Sequence, residues 1–345
     1  MRHRHATEPS RDRIEPHCYC NELPRRRIQP RRLAMLAAAL AIVSVASGVT
    51  ALAAAASATR AKARGPQEYG CPILPASNSL NRDISRAPVN PLSDSYVASI
   101  GAALHLHADF GTNPSYGIPY VVVGSRQPRV PIKFSEYGAE SEPGPYPVPP
   151  GAPVEGAGEE GDRHVLVLQT HACKLYELYA ARRLRAGWEA GSGAVFDLRS
   201  NALRPEGWTS ADAAGLPILP LLARYPEVHA GRIDHALRVT VAHTQSGYIH
   251  PATHLASSSS DASLPPMGLR LRLKAGFDLA PYHGQALVIL RALKRYGLIV
   301  ADNGSSWYIT GAPDARWHDE DLDQLKTVPG SAFEAIDSGS ILHKR

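Results

Sequence analysis

Residues 268–274 read Gly-Leu-Arg-Leu-Arg-Leu-Lys, and residues 233–241 read Ile-Asp-His-Ala-Leu-Arg-Val-Thr-Val. In both stretches apolar side chains occupy every second position, which is the period of a β-strand with one buried face. The first stretch is predicted to turn Leu269, Leu271 and Leu273 inward and Arg270, Arg272 and Lys274 outward. The second places His235 on the apolar face and Arg238 on the opposite face.

Further stretches extend this pattern along the chain. Strand character is found at residues 120–123, 130–134, 164–169, 174–183, 193–198 and 333–336. A helix is predicted over residues 285–296, with Gly297 as its left-handed cap, and a shorter one over 319–326. Asp302-Asn303-Gly304-Ser305 predicts the turn of a hairpin that joins 298–301 to 307–310.

The order of these elements predicts a fold class. Neither a repeat of 20–50 residues nor a regular alternation of strands and helices is present, which disfavours solenoids and parallel α/β folds. We therefore predict a mainly β protein, an antiparallel β-sandwich or jelly-roll-like single domain with one or two peripheral helices. This domain is expected to span residues 96–340, after an irregular, proline-rich segment over 59–95.

The positive charge of the chain lies at its N-terminal end. Residues 1–58 hold 9 Lys+Arg and 4 Asp+Glu, whereas residues 59–345 hold 28 of each, which argues against a nucleic-acid surface. Arginines at 25–32, 24 uncharged residues at 33–56 and Ala56-Ser57-Ala58 predict a signal peptide over residues 1–58. The alternative is a membrane anchor formed by residues 33–56. Both interpretations predict export.

Cys71 and Cys173 are the two cysteines that follow this leader. In an oxidising compartment we expect them to form a disulfide that closes a loop of roughly 100 residues. The alternative is a pair of buried free thiols. No Cys-x-x-Cys spacing occurs after residue 58, which argues against cysteine-bound zinc.

His105, His107 and Asp109 would project to one side of an extended segment. Two imidazoles and a carboxylate on one face suit zinc or another divalent metal. The same cluster could instead be an active site without metal, or a polar face with hydrogen-bonded histidines.

Other candidate residues lie further along the chain. In the polar loop 204–217, Trp208 could stack on a sugar ring and Asp212 supplies a carboxylate, although Thr209 or Ser210 could instead cap a helical turn. His235 is an acid/base candidate if it lines a cleft and a core residue otherwise. Asp302, Asn303 and Trp307 at the predicted hairpin tip offer a carboxylate, an amide and a stacking platform, or simply a turn.

Arg270 and Arg272 lie about 6.6 Å apart along the predicted strand. That spacing matches successive anionic groups such as uronic acids or sulfates, and the alternative is a solvated face paired with carboxylates. Glycoside hydrolysis requires two converging carboxylates, for which the candidates are Asp109, Asp197, Asp212 and Asp302.

The segments LRPEGWTSADAAGLPILP, HALRVT, PPMGLRLRLK and RYGLIVADNGSSWYITG resemble a family of exported bacterial proteins. The resemblance covers roughly Ser77 to Asp337. It implies a single exported domain and carries over no activity, cofactor or catalytic residue.

The sequence therefore predicts an exported protein that acts on or binds a polysaccharide or cell-envelope glycan. As a hydrolase or lyase it would use His107 or His235 as acid/base, with Asp109, Asp212 or Asp302 as partner and Arg238 or Arg270 as ligand clamp. The alternatives are a non-catalytic carbohydrate-binding or envelope protein and a metal-dependent hydrolase. No cofactor is indicated, and a membrane is expected as partner only if the leader is retained.

Overall fold

The chain folds mainly into β-strands, as predicted, in a computed structural model that describes residues 65–158 and 161–343. The predicted leader over residues 1–58 lies outside the described residues. The strands are β1 Gln67–Glu68, β2 Cys71–Pro72, β3 His107–Asp109, β4 Tyr120–Val123, β5 Ile132–Phe134, β6 Val165–Gln169, β7 Lys174–Tyr179, β8 Arg182–Arg183, β9 Trp188–Ala190, β10 Ser192–Asp197, β11 Leu237–Val241, β12 Arg270–Leu273, β13 Leu298–Asn303, β14 Tyr308–Thr310 and β15 Phe333–Ala335.

Helices are few in the described ranges. The α-helices are α1 Ser93–Ile100, α2 Tyr225–His229, α3 Gly284–Arg295 and α4 Asp319–Asp323, and short 3-10 helices span Ser79–Asn81, Gly138–Glu140, Glu155–Gly158, Leu219–Leu221, Gln324–Thr327 and Gly330–Ala332. None of these helices is long and apolar enough to cross a membrane.

The strands form three larger sheets and one small hairpin. One sheet has the order β15-β12-β13-β11-β14-β3, a second β10-β7-β6-β4 and a third β5-β9-β8, while β1 pairs with β2. Among the described strand pairs seven are antiparallel and four parallel, the parallel pairs being β11/β13, β14/β3, β4/β6 and β5/β9. The sheets are therefore mixed, with antiparallel pairs in the majority.

The sheets pack in a sandwich-like arrangement around two cores. Leu166 and Leu168 of β6 point into the main core, which they share with the six-stranded sheet, while Val165 and Val167 point into a smaller core with Trp188 of β9. Because β6 is buried on both faces, its residues 165–168 are continuously apolar rather than alternating. The four-stranded sheet is thus the middle layer.

The predicted solvent face of β12 is wrong. Arg270 and Arg272 are both buried, because the backbone of residues 79–87 covers that face of the strand. Arg270 donates to the carbonyls of Ser79 and Tyr296, and burial lowers the pKa of its guanidinium to about 10. Arg272 donates to Glu334 at 2.8 Å and to the carbonyls of Ile84 and Ala87. Both arginines therefore stabilise the fold and do not face a ligand.

The predicted hairpin around Asn303-Gly304 is also wrong. β14 pairs with β11 rather than with β13, so β11 lies between the two predicted arms. After β13 the chain passes around the end of β11, where Gly304 N–H donates to the Val241 carbonyl at 2.9 Å. Trp307 follows at φ 64 and is fully buried against Phe333, with ring centroids 5.0 Å apart. Trp307 is a core residue rather than a stacking platform.

Two local predictions are confirmed. Gly297 follows the last turn of α3 at φ 69, and a Cβ there would lie 2.1 Å from the Leu271 carbonyl oxygen, so only glycine fits. Cys71 and Cys173 form a disulfide.

The segment before residue 96 is more ordered than predicted. It contains β1, β2 and a 3-10 helix, and α1 crosses the expected boundary at residue 95. The Ala236 N–H donates to the Leu80 carbonyl at 2.8 Å, which joins this segment to the start of β11. Residues 65–95 are therefore part of the β-rich unit.

Candidate functional site

A cavity of about 260 Å³ lies where the four-stranded and six-stranded sheets meet. Its walls come from the end of β7, the start of β10, the end of β13 and the loop 209–213. Among the lining side chains are those of Asp162, Asp212, Asp302, Tyr137, Tyr179 and Asn303. The cavity is thus lined largely by polar groups that come from distant parts of the chain.

The loop that forms one wall is fixed by side chains. Six successive carbonyls accept hydrogen bonds: Trp208 from Thr253 Oγ1, Thr209 from Arg204 Nε, Ser210 from Ser192 Oγ, Ala211 from His164 Nε2, Asp212 from Ser210 Oγ and Ala213 from His254 Nδ1, at 2.6–2.9 Å. The Thr209 N–H donates to Glu140 Oε2 at 2.9 Å. The loop is irregular rather than a helical turn, and this bonding holds the cavity wall in one geometry.

A buried arginine connects the loop to three strands of the six-stranded sheet. Arg238 on β11 donates from Nε and Nη2 to the two carboxylate oxygens of Asp212, at 2.8 and 2.9 Å. Its Nη1 donates to Thr310 Oγ1 at 2.9 Å, and its Nη2 also donates to Asp302 Oδ2 at 3.2 Å. Asp212 is fully buried and Arg238 is 5% exposed. One cation is therefore shared by two carboxylates, and Asp212 holds the bidentate position.

Asp302 is the carboxyl group of this cluster that can change its protonation state near neutral pH. Burial and the neighbouring Asp212 carboxylate raise its pKa to about 7, against the opposing effect of Arg238. Its Oδ1 accepts the Asn303 N–H at 2.7 Å, and its side chain remains 22% exposed at the cavity. A carboxyl group that keeps its proton to about pH 7 and faces a cavity can act as a general acid.

A second buried ion pair supports the loop from behind. His164 Nδ1 lies 2.6 Å from Glu155 Oε2, and its Nε2 lies 2.8 Å from the Ala211 carbonyl oxygen. Since both partners are acceptors, both ring nitrogens carry protons. Burial disfavours this imidazolium, but the Glu155 carboxylate outweighs burial and raises the pKa of His164 to about 9.

The His164 ion pair predicts a pH dependence of stability. The histidine's pKa is about 9 in the folded protein and 6.5 in the absence of partners, so the folded state binds the extra proton between these values. The contribution is complete below pH 6.5 and is lost as the pH rises through 9, amounting to about 3 kcal/mol of unfolding free energy. Urea unfolding across this range should show the decline, and His164→Gln should remove most of it.

His243→Gln is the matched control for this measurement, because His243 is exposed. That variant should retain the wild-type decline. An equal decline in His164→Gln would contradict the assignment to His164.

Two tyrosines complete the cavity. Tyr137 is 43% exposed, whereas Tyr179 lies at the end of β7 with its ring centroid 5.9 Å from that of His164. Burial and the Asp162 carboxylate raise the pKa of the Tyr179 hydroxyl, which therefore remains a proton donor in hydrogen bonds. Asn303 accepts from Thr244 Oγ1 at 3.0 Å, and its amide lines the same cavity.

His235 lies outside this cavity, and its predicted acid/base role is wrong. Its ring is fully buried, with Nδ1 2.8 Å from the Ala236 carbonyl oxygen and Nε2 3.0 Å from both Arg224 Nη2 and Glu227 Oε2. Arg224 also pairs with Glu68 at 3.4 Å. This separate charge cluster joins β1 to α2 and leaves His235 no access to a ligand.

The predicted metal cluster is not formed either. In the described ranges no group of three His, Cys, Asp or Glu side chains is placed to hold a metal ion. His105 is exposed, and His107 stacks on Tyr308 with ring centroids 4.1 Å apart. Asp109 is half-buried beside Thr310, and burial and the Glu155 carboxylate raise its pKa.

Trp208 and Asp197, two further predicted site residues, contact other side chains of the protein. Trp208 is half-buried, with the Arg204 guanidinium 5.6 Å from its ring centroid. Asp197 pairs with Lys174 at 3.1 Å on the surface. Of the predicted site residues, the structure brings together Asp212, Asp302, Asn303 and, behind them, Arg238.

Sequence reasoning missed Tyr137, Asp162, Tyr179 and the His164–Glu155 pair. The only signal in the sequence was the position of His164 directly before the apolar residues 165–168, where a buried histidine needs hydrogen-bond partners from another segment. Comparisons of the chain with models of protein families, with curated proteins and with solved structures found no match.

Proposed function

We propose that the protein is exported and hydrolyses a glycosidic bond of a cell-envelope or extracellular glycan in this cavity. The convergence of Asp302 and Asp162 on one polar cavity carries the proposal. Asp302 would protonate the leaving oxygen, and Asp162 would act as base or nucleophile, which are the two roles that glycoside hydrolysis requires.

The surroundings of the two carboxylates support this assignment. Arg238 and Asp212 hold Asp302 in place, and the bonded loop 209–213 fixes one wall of the cavity. Tyr137 and Tyr179 offer rings against which a sugar can pack while their hydroxyls bind its polar groups. A volume of about 260 Å³ is below the usual range for drug-sized ligands, which suits one sugar unit of a chain.

Export is supported by two independent features. The N-terminal residues have the charge and hydropathy pattern of a signal peptide. The Cys71–Cys173 disulfide is typical of proteins outside the cytoplasm.

Hydrolysis fits the site better than the predicted lyase alternative. A lyase that acts on uronic acids must neutralise the substrate carboxylate, and no lysine or arginine is among the described residues that line the cavity. The metal-dependent alternative lacks a ligand set in the described part of the chain.

Asp302→Asn tests the proposal. Release of reducing ends from a panel of oligosaccharides should identify a substrate of the wild type, and Asp302→Asn should lower kcat on it by a factor of about 10² or more, because the proton donor is lost. The wild-type kcat should fall above pH 7, where the acid loses its proton.

Asp94→Asn is the matched control, since it makes the same chemical change at an exposed position of helix α1. It should retain wild-type activity. A panel without any cleavage, or full activity in Asp302→Asn, would contradict the hydrolase, and binding without cleavage would instead support the carbohydrate-binding alternative.

A further inference from the structure

The cavity has an unbalanced charge. Asp162 and Asp302 line it together with the buried Asp212, and none of the described lining residues is a lysine or an arginine. Arg238 is the cation that binds two of these carboxylates, and it lies behind them rather than in the wall. Asp162 is the carboxylate among these three that Arg238 does not contact, so the negative charge of the wall comes mainly from Asp162.

Four of the five N–H groups of Arg238 already donate to other residues, and the side chain is almost completely buried. Its Nε and Nη2 bind Asp212, its Nη1 binds Thr310, and its side chain is only 6% exposed. It therefore cannot clamp an anionic sugar, as the sequence suggested. An anionic ligand would meet carboxylates without an accessible lysine or arginine among the described lining residues to offset them.

The aromatic residues also favour a positively charged ligand. Tyr137 and Tyr179 line the cavity beside the carboxylates. Aromatic rings attract cations, and rings combined with carboxylates form a common recognition site for amines. Neutral sugars use aromatic rings as well, but they gain nothing from the negative charge of the carboxylates.

We infer that the sugar bound in this cavity carries a free amine, so that the ligand is an oligosaccharide of glucosamine or of a similar amino sugar. This inference rests on the proposed function and names the substrate class of the same site. The ammonium group would lie beside the Asp162 carboxylate, which attracts its charge, and would donate hydrogen bonds to the hydroxyl oxygens of the tyrosines. N-acetylation of the amine would remove the charge, and uronic acids would be repelled.

The test compares two oligosaccharides of equal length, one of glucosamine and one of N-acetylglucosamine, by calorimetric titration near neutral pH. The wild type should bind the glucosamine oligosaccharide about tenfold more tightly at low salt, and added salt should reduce this preference. Asp162→Asn should lose most of the preference, while Asp94→Asn should keep it.

The outcomes separate the two proposals. Equal or tighter binding of the N-acetylated oligosaccharide would overturn the amine preference, and cleavage of that oligosaccharide would leave the hydrolase proposal standing. If neither oligosaccharide binds, the amine preference is wrong, and the oligosaccharide panel then decides whether the cavity hydrolyses another glycan. An undiminished preference in Asp162→Asn would overturn the assignment to this cavity.

Discussion

Replacing Arg238 with methionine is expected to destabilise the protein by about 3–5 kcal/mol. Arg238 makes the bidentate contact to Asp212, which is fully buried, so its removal leaves a carboxylate in the interior without this counter-charge. Repulsion between Asp212 and Asp302 adds to this cost because the shared cation is gone. Urea unfolding at neutral pH measures the loss directly.

Two further variants show whether the unpaired charge is the cause. Arg238→Met combined with Asp212→Asn should recover part of the lost stability, because the buried group is then neutral. Arg295→Met removes a surface partner of Asp83 and should cost less than about 1 kcal/mol. A loss for Arg238→Met no larger than for Arg295→Met would show that the buried pair does not stabilise the fold.

Reduction of the disulfide is expected to lower the free energy of unfolding by about 4–5 kcal/mol. Cys71 and Cys173 are 102 residues apart, so the bond restricts a large part of the unfolded chain. It also fastens β2, and with it Glu68, against the main body, where Glu68 meets Tyr120 at 2.8 Å. Unfolding by urea with and without a thiol reductant measures the effect.

Cys71→Ser combined with Cys173→Ser provides the control. That variant should be as unstable as the reduced wild type and should no longer respond to the reductant. Equal stability of the oxidised and reduced wild type would contradict the predicted contribution.

The sequence patterns predicted local structure but not the contacts between distant segments. A strict period of two located β11 and β12 because alternation reports one buried face directly. It could not show that residues 79–87 cover the other face of β12, since that contact joins segments almost 200 residues apart. The change of direction after Asn303 was located correctly, but the pairing of β14 depends on β11, which enters from earlier in the chain.

For the candidate site, the sequence indicated individual residues but not which of them come together. Asp212 stood out as part of a polar loop, and Asp302 and Asn303 stood out as part of a predicted turn. Their convergence depends on Arg238, which the alternation of β11 placed on the face opposite to His235. Nothing local marks Tyr179 as a cavity residue, because it ends a strand that otherwise faces the core.

The central claim is that the cavity around Asp302 is a carbohydrate-active site. The pKa of Asp302, measured with and without a sugar, tests this claim most directly. The carboxyl carbon of Asp302, assigned by comparison with Asp302→Asn, can be followed by ¹³C NMR as the pH is changed, with and without a glucosamine oligosaccharide. The account predicts a pKa of about 7 that moves when the sugar is added. A pKa near 3.8, the ordinary value for an aspartate, that no oligosaccharide changes would contradict it.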